Sequence, residues 1–446
     1  MRTPIFDFVK AYADSNTSRF HMPGHKGKGP LGCERLDITE IDGADVLSHA
    51  EGIIAESERC AAELFGTAGT FYSAEGSTLC IKAMLAMAAG ISREGKRARV
   101  LAARNAHKAF IYACAMLDID VEWIYPDQAE HLCSAQVSAD MIESRLSSAE
   151  ELPAAVYLTS PDYLGNIADV SKIAEVCHEY GLPLLVDNAH GAYLNFLSPS
   201  RHPIALGADI CCDSAHKTLP VLTGGAYLHI SKNADARYCE AARDMMAVFA
   251  TTSPSYLILQ SLDLCNRYLA EGYSEALEGA ICEIAALKGK IKDRGFAVCD
   301  TEPLKIVIDA SASGYGGEEL AAHLRKCGIE PEMADGDLVV LMATPENIKT
   351  DTERLLSAFE LIEPRAARKY AGMVALTAPE RAMSIREAMF APSEILPVEK
   401  AEGRICGAPA VSCPPAIPIV VSGERISREA IELFGAYGIK TVRVLL

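Results

Sequence analysis

Positive charge is what this sequence has little of. Its 42 Lys and Arg stand against 60 Asp and Glu, a formal net charge of −18 over 446 residues. A nucleic-acid binder would show a basic face, so that class is excluded. A field of this sign instead favours a cationic substrate. Long apolar runs are also missing. None reaches the length needed to cross a bilayer, and Met1 to Lys10 lacks the apolar core of a secretory leader. Neither a membrane protein nor a secreted one is expected. The 15 cysteines include no CxxC pair. Scattered through apolar segments such as Cys177 and Cys211-Cys212, they read as reduced, mostly buried thiols of a cytoplasmic protein. Internal repeats and low-complexity tracts are absent. With half the residues hydrophobic and 23% charged, the chain is an ordinary globular protein. It is long enough for two domains, or for one large domain with an appendage.

Asp213-Ser214-Ala215-His216-Lys217-Thr218 is the most informative stretch present. It follows Ala208 to Cys212, an apolar run that reads as a buried strand, and precedes the turn Gly224-Gly225. A lysine just past a strand end can have its ammonium destabilised by burial and neighbours, which frees the amine to attack a carbonyl. Ser214 and His216 beside it can donate to a phosphate. Lys217 is therefore read as carrying pyridoxal phosphate (PLP) as a Schiff base; the alternative is a surface lysine in a loop. Upstream, Leu182 to Val186 reads as a central parallel strand that ends at Asp187-Asn188-Ala189-His190-Gly191. An aspartate there sits where open α/β sheets bind ligands. PLP needs such a carboxylate to keep its pyridine nitrogen protonated, and Ala189 is small enough to lie flat against a ring. A helix cap or turn aspartate is the competing account of Asp187.

The rest of the chain alternates strand and helix. Arg99 to Ala103 ends at Arg104-Asn105-Ala106-His107-Lys108, and Ala154 to Thr159 ends at Ser160-Pro161-Asp162-Tyr163. This spacing predicts a parallel sheet with helices on both faces, with His107, Asp162, Asp187 and Lys217 at one edge. Glu75-Gly76-Ser77-Thr78 opens a buried helix, Leu79 to Ala89, and offers free amides, two hydroxyls and a positive dipole end to a phosphate. Capping alone would also explain Ser77 or Thr78. Arg19 to Gly27 sets two histidines and a lysine around a Pro-Gly turn. No cysteine or carboxylate follows at ligand spacing, so no metal is expected. Asp37 to Asp45 is an acidic loop. Ser253 as N-cap with Pro254 should start a helical stretch from Ser255 to Lys292. The expected division is an N-terminal segment 1–50, a large PLP-binding α/β domain 51–250, a linking helical stretch 251–295 and a C-terminal α+β domain 296–446. Within the last, residues 384–410 look irregular, and Cys413-Pro414-Pro415 is an extended entry to a strand.

Taken together, Phe20-His21-Met22-Pro23-Gly24-His25-Lys26-Gly27, Asp37-Ile38-Thr39-Glu40, Gly76-Ser77-Thr78, Arg104 to Lys108, Asp187 to Gly191, Ser214 to Pro220 and Thr252 to Tyr256 resemble the ornithine/lysine/arginine decarboxylases of PLP fold type I. The match is to the short form, without an added N-terminal response-regulator-like domain, and covers nearly the whole chain. The resemblance implies an α/β protein of the PLP-dependent transferase-like fold type I, with a large parallel-type sheet domain and a smaller α+β C-terminal domain. It implies that Lys217 bonds to PLP, that Asp187 pairs the pyridine nitrogen and that His107 stacks on the ring. Ala189 and His190 join them, and Ser77, Thr78, Ser214 and His216 bind phosphate. Thr252 or Ser253 reaches a phosphate across the interface of a homodimer or higher homo-oligomer. The implied reaction is decarboxylation of a basic amino acid to a polyamine-type amine. His25, Glu40, Asp45, Glu75 and Asp162 are candidates for holding the substrate. Glu75 and Asp162 stand where the family usually has uncharged residues. Another fold type I enzyme (an aminotransferase or an aldolase) and a PLP-binding protein without catalysis are the alternatives.

Overall fold

The computed structural model describes residues 1–92, 97–126, 131–134, 136–363, 365–368, 378–411 and 416–446. The expected Cys413-Pro414-Pro415 strand entry lies outside the described residues. The chain forms two compact units. One comprises Met1–Lys96, Leu146–Leu158 and Asp169–Ser274; the other comprises Arg97–Arg145, Thr159–Ala168 and Glu275–Leu446.

The strands up to Ile230 are β1 (Gly69–Ser73), β2 (Arg99–Ala103), β3 (Asp120–Ile124), β4 (Ala155–Thr159), β5 (Leu184–Asp187), β6 (Ile210–Asp213) and β7 (Ala226–Ile230). In the first unit they run in the order β1-β7-β6-β5-β4. β5 and β6 are parallel, with Asp187 opposite Cys212. β7 is antiparallel to both β6 and β1, so the sheet is mixed rather than all-parallel. The cause is local. Between β6 and β7 lie one four-residue helix, Ala215–Thr218, and a turn at Gly224-Gly225, which fold the chain straight back instead of carrying it across the sheet. β5, β6 and β7 are buried at every position, which accounts for their unbroken apolar runs.

The first three α-helices belong to the same unit. α1 (Pro4–Asp14) has proline in its first turn, where no intrahelical N–H is needed. α2 (Ile53–Phe65) stops at Gly66, whose φ of 67° makes a left-handed cap. α3 (Ser77–Ser92) buries Leu79, Cys80, Ile81, Met84, Leu85 and Met87. Apolar side chains on every side make it an interior helix, as its composition predicts.

In the second unit β2 and β3 form a parallel pair. A separate antiparallel sheet follows, β8 (Ala297–Val298), β9 (Lys305–Asp309), β10 (Met333–Ala334) and β11 (Leu338–Met342), in the order β10-β11-β9-β8. Val307, Val340, Ile419, Phe434, Val442 and Val444 share one core there. Two expectations for the later part of the chain change. The stretch from Ser255 is two helices, Tyr256–Ala270 and Tyr273–Asp293, broken where Gly272 takes a φ of 89°. Its first helix starts after Pro254, with Ser255 at the N-cap position; the Ser253 N–H goes to Thr251 Oγ1 at 3.1 Å. Residues 384–410 are also more ordered than they read. Ser384 and Glu387 form a capping box for the helix Ile385–Phe390, and Ser393–Pro397 pairs with Thr441–Leu445.

α1 is tied down by Asp263, which is fully buried. Its carboxylate accepts the Phe6 N–H at 2.9 Å and the Ser57 hydroxyl at 2.5 Å. Burial pushes this carboxyl from 3.8 up to about 6, against the pull of those donors. The folded protein therefore holds the proton more tightly than the unfolded chain. The resulting stability is complete below the unfolded value and is lost as pH rises through about 6. Between pH 4 and 7 the wild type should lose on the order of 3 kcal/mol relative to Asp263→Asn. Denaturant unfolding of both proteins across that range reads the difference, and a difference that stays flat with pH would refute this account.

Candidate active site

The site is built where β5 and β6 end. Parallel neighbours finish at the same sheet edge, and the Asn188 N–H donates to Cys212 O at 2.9 Å, holding the two exits side by side. Asp187, the last residue of β5, is 2% exposed. One of its carboxylate oxygens accepts the Tyr157 hydroxyl at 3.3 Å; the other accepts the Ala189 N–H at 3.2 Å and the Cys212 thiol at 3.7 Å. Burial raises this carboxyl above the usual range, and the charge of Lys217 is the largest influence opposing it. Lys217 rides on the short helix after β6, with its Nζ 3.1 Å from His190 Nε2.

A second group closes the same end of the unit. Ser214 Oγ donates to Ser77 Oγ at 2.8 Å, so the residue before the lysine helix meets the first residue of α3. The Gly76 N–H donates to Gly224 O at 2.7 Å. Gly76 takes a φ of 71°, a conformation suited to glycine. His216 Nδ1 lies 3.0 Å from Gly225 O. A carbonyl only accepts, so Nδ1 carries the hydrogen. Burial, then the Lys217 charge, lower the pKa of this imidazole against the Gly225 bond. Asp187, Ala189, His190, Ser77, Ser214, His216 and Lys217 thus gather within the first unit.

The remaining expected residues fall in several places. Thr78 is exposed on the first turn of α3, and Thr252 and Ser253 are exposed. The Thr251 N–H donates to Glu75 at 2.6 Å. Glu40 and Thr252 line one cavity with Phe71, Tyr72 and Arg243. His25 is engaged on both ring nitrogens, by Asp37 at 3.1 Å and by the Gly27 N–H at 3.0 Å. Asp45 accepts backbone N–H groups from Val46, Glu51, Gly52, Ile54 and Ala55. Its carboxylate closes the loop into α2 and faces its own chain rather than a ligand. In the second unit Asp162 is 2% exposed and binds Asn166 through its N–H at 2.9 Å and its side-chain amide at 2.8 Å. That carboxylate, too, is spent on its loop. His107 caps the helix Lys108–Leu117, its Nδ1 accepting the Ala109 N–H at 3.1 Å.

A family model described as Orn/Lys/Arg decarboxylase, major domain, matches residues 3–308, and the model of that family's C-terminal domain matches residues 367–437. The chain belongs to this family. An arginine decarboxylase of Bacillus subtilis is 28% identical to it over 465 residues, 96% of this chain and 92% of that protein. An arginine decarboxylase of Halalkalibacterium halodurans is 29% identical over 461 residues, 96% and 91% of the two chains. Among solved structures, the constitutive lysine decarboxylase of E. coli is similar with a TM-score of 0.78 at 17% identity, over 100% of this chain and 82% of that one. The lysine decarboxylase of Francisella novicida gives a TM-score of 0.81 at 15% identity, over 100% and 81%. The fold is the α/β PLP-dependent transferase-like fold type I, and the protein is a PLP-dependent decarboxylase.

For a decarboxylase of this family, reading the sequence missed Tyr157 and Cys212 at Asp187, and Asn188 with Asp213 behind it. Of these, Cys212 and Asp213, polar positions inside the fully buried β6, carried the available signal. Gly191 shows how tight the loop is. A Cβ there would stand 2.0 Å from Asn188 Oδ1 and 2.8 Å from Leu194 Cδ1. Gly191→Ala should lower the melting temperature by several degrees and weaken PLP binding at least tenfold. Wild-type melting and cofactor affinity in that variant would show that the loop can yield.

Proposed function

We propose that this decarboxylase acts on a basic amino acid, arginine ahead of lysine and ornithine, and that Lys217 and Asp187 are the centre of its site. The observation that carries the proposal is the juxtaposition of a buried carboxylate at the end of β5 with a lysine on the short helix after β6. The two named arginine decarboxylases, similar over nearly the full chain, support the order of substrates.

These residues fit pyridoxal phosphate. Asp187, buried and raised in pKa, gains most from a cationic partner such as a protonated ring nitrogen. Ser77, Thr78 and Ser214, with the free amides at the start of α3, fit the phosphate. His216 adds a donor there once a phosphate dianion draws a second proton onto its Nε2. Ala189 leaves room beside a flat ring, and His107 is the residue to stack on it. Thr252 or Ser253 supplies a further hydroxyl, in an oligomer from a second copy. When bound, the cofactor supplies an aldehyde for the substrate amine and a pyridinium that accepts the electron pair left by departing carbon dioxide.

The chain's own groups divide the remaining work. Asp187 keeps the proton on the ring nitrogen, and Lys217 Nζ is the covalent attachment point. His190 Nε2, close to Nζ, orients the amine and can exchange a proton with it. His216 has its Nδ1–H committed to Gly225 and its Nε2 assigned to the phosphate, so Lys217 and His107 are left to return a proton to the substrate Cα. Asp45 and Asp162 serve their own loops, so Glu40 and Glu75 are the carboxylates for the distal cation. Glu40 makes no hydrogen bond or ion pair among the described residues and lines a cavity with Thr252.

Phe20, Met22 and Leu31, from one segment, are 96%, 72% and 82% exposed. Apolar side chains so open favour a covering surface, and a second copy of this chain is the occupant we propose. Light scattering on the PLP-loaded enzyme should give at least two chains per particle; a mass of one chain would overturn this. With PLP, arginine, lysine and ornithine should be tested for carbon dioxide release beside glutamate, which should give none. Lys217→Ala should release no carbon dioxide and leave no borohydride-reducible link to the cofactor. Glu40→Gln or Glu75→Gln should raise KM for the basic substrate at least tenfold. Glutamate turnover would overturn the substrate class, and a reducible link in Lys217→Ala would overturn the lysine.

A further inference from the structure

None of the chemistry above uses Asp213, the last residue of β6 and fully buried. Its carboxylate accepts the Asn188 side-chain amide at 2.6 Å and the Cys211 thiol at 3.6 Å. His202 Nε2 lies 3.1 Å from it and His229 Nε2 3.2 Å, and both imidazoles are fully buried. His202 accepts the Ile204 N–H on Nδ1, which leaves its Nε2 to donate. Thr70 Oγ1 lies 2.9 Å from His229 Nδ1. Phe65 covers His229 with ring centroids 4.4 Å apart. A carboxylate held by two imidazoles this deep is weak as a source of stability, because well-packed apolar residues of similar volume do as well or better. A role other than stability is open to it.

Its place in the sheet supplies one. Asp187 and Cys212 are register partners and their side chains meet, so they share a face. Side chains alternate along a strand, so Asp213, one residue beyond Cys212 in β6, turns to the opposite face, and the side-chain amide of Asn188, the first residue after β5, bonds to it there. This bond joins the residue directly after Asp187 to the residue directly before Ser214. It lies behind the sheet, away from the Asp187 carboxylate.

We propose that Asp213, braced by His202 and His229, is a positioning residue of the site. Through Asn188 it clamps the two strand exits and so sets the Asp187 carboxylate relative to the Lys217 amine. The inference rests on the reading that these two residues hold PLP. The clamp should be felt in the electronic state of the bound cofactor, not only in the melting temperature.

Three variants test it: Asn188→Ala, which cuts the link and leaves the cluster; Asp213→Asn, which removes the charge; and Phe65→Leu, which loosens packing on His229 without touching a polar link. For each, the apoprotein is titrated with PLP, the pH midpoint of the bound cofactor's visible band is measured, and kcat, KM and melting temperature are recorded. Asn188→Ala and Asp213→Asn should bind PLP at least tenfold more weakly and shift the midpoint by at least half a pH unit. At saturating PLP they should lose at least tenfold in kcat, with KM within twofold of wild type. Phe65→Leu should melt lower yet keep wild-type affinity and midpoint. If Asp213→Asn does not fold, Asn188→Ala decides alone. Wild-type affinity and midpoint in the link-cutting variant, or equal shifts in Phe65→Leu, overturn the proposal. Lys217→Ala separates the underlying reading: a reducible link surviving there refutes the site, whereas its loss beside a normal Asn188→Ala refutes only the clamp.

Discussion

One register underlies the site, the pairing of Asp187 with Cys212 in parallel strands β5 and β6. It brings two strand ends to one edge and presents the Asp187 carboxylate to the Cys212 side of the sheet. The side-chain period of a strand is two, so a slip of one residue would send Asp187 to the opposite face and bring Asn188 in its place. Burial on both faces makes that slip costly, because every residue of both strands is packed. The same register lets Asn188 meet Asp213 behind the sheet while the lysine helix forms in front.

Electrostatics follow from that register. A carboxylate as deep as Asp187 is disfavoured in its charged form, and Lys217 is its largest compensating charge. Asp213, equally deep, is held well below the usual carboxylate range: burial raises it, but the two histidines outweigh burial. The sheet thus separates two buried carboxylates and gives each its own partners, the Lys217 amine for one and two imidazoles for the other. Only the one facing Lys217 has its charge incompletely balanced, and that is where a cationic ring nitrogen has the most to offer.

The elements legible in the sequence were those marked by local pattern. The buried helix α3 and the strands β2, β4, β5 and β6 announced themselves by apolar runs ended by polar clusters, and the cofactor family by Ser214 to Pro220 with Asp187 to Gly191. Direction was not legible. An apolar run reports burial but not its neighbour's orientation, so a sheet that antiparallel β7 makes mixed was expected to be parallel. The break at Gly272 was hidden because glycine is tolerated within helical patterns. The capping box at Ser384 and Glu387 was present and went unread. Tyr157 could not be found locally at all; it lies 30 residues from Asp187, and only the sheet joins them.

The acidic composition illustrates a different limit. A net charge of −18 was read as a field favouring basic substrates, with four carboxylates offered as its local source. Two of them are consumed internally. Asp45 has its charge spread over five backbone amides, and Asp162 over the Asn166 amides. Asp263 holds α1 in the same manner, and Glu58 is paired with Arg243 at 2.5 Å. Each is a negative charge in the count, but each is already answered by a dipole or a cation of the chain itself. What selects a substrate is therefore not the total but the few carboxylates whose lone pairs remain uncommitted. Hydrogen-bond commitment, invisible in composition, separates Glu40 from Asp45 although they stand only five positions apart in the chain.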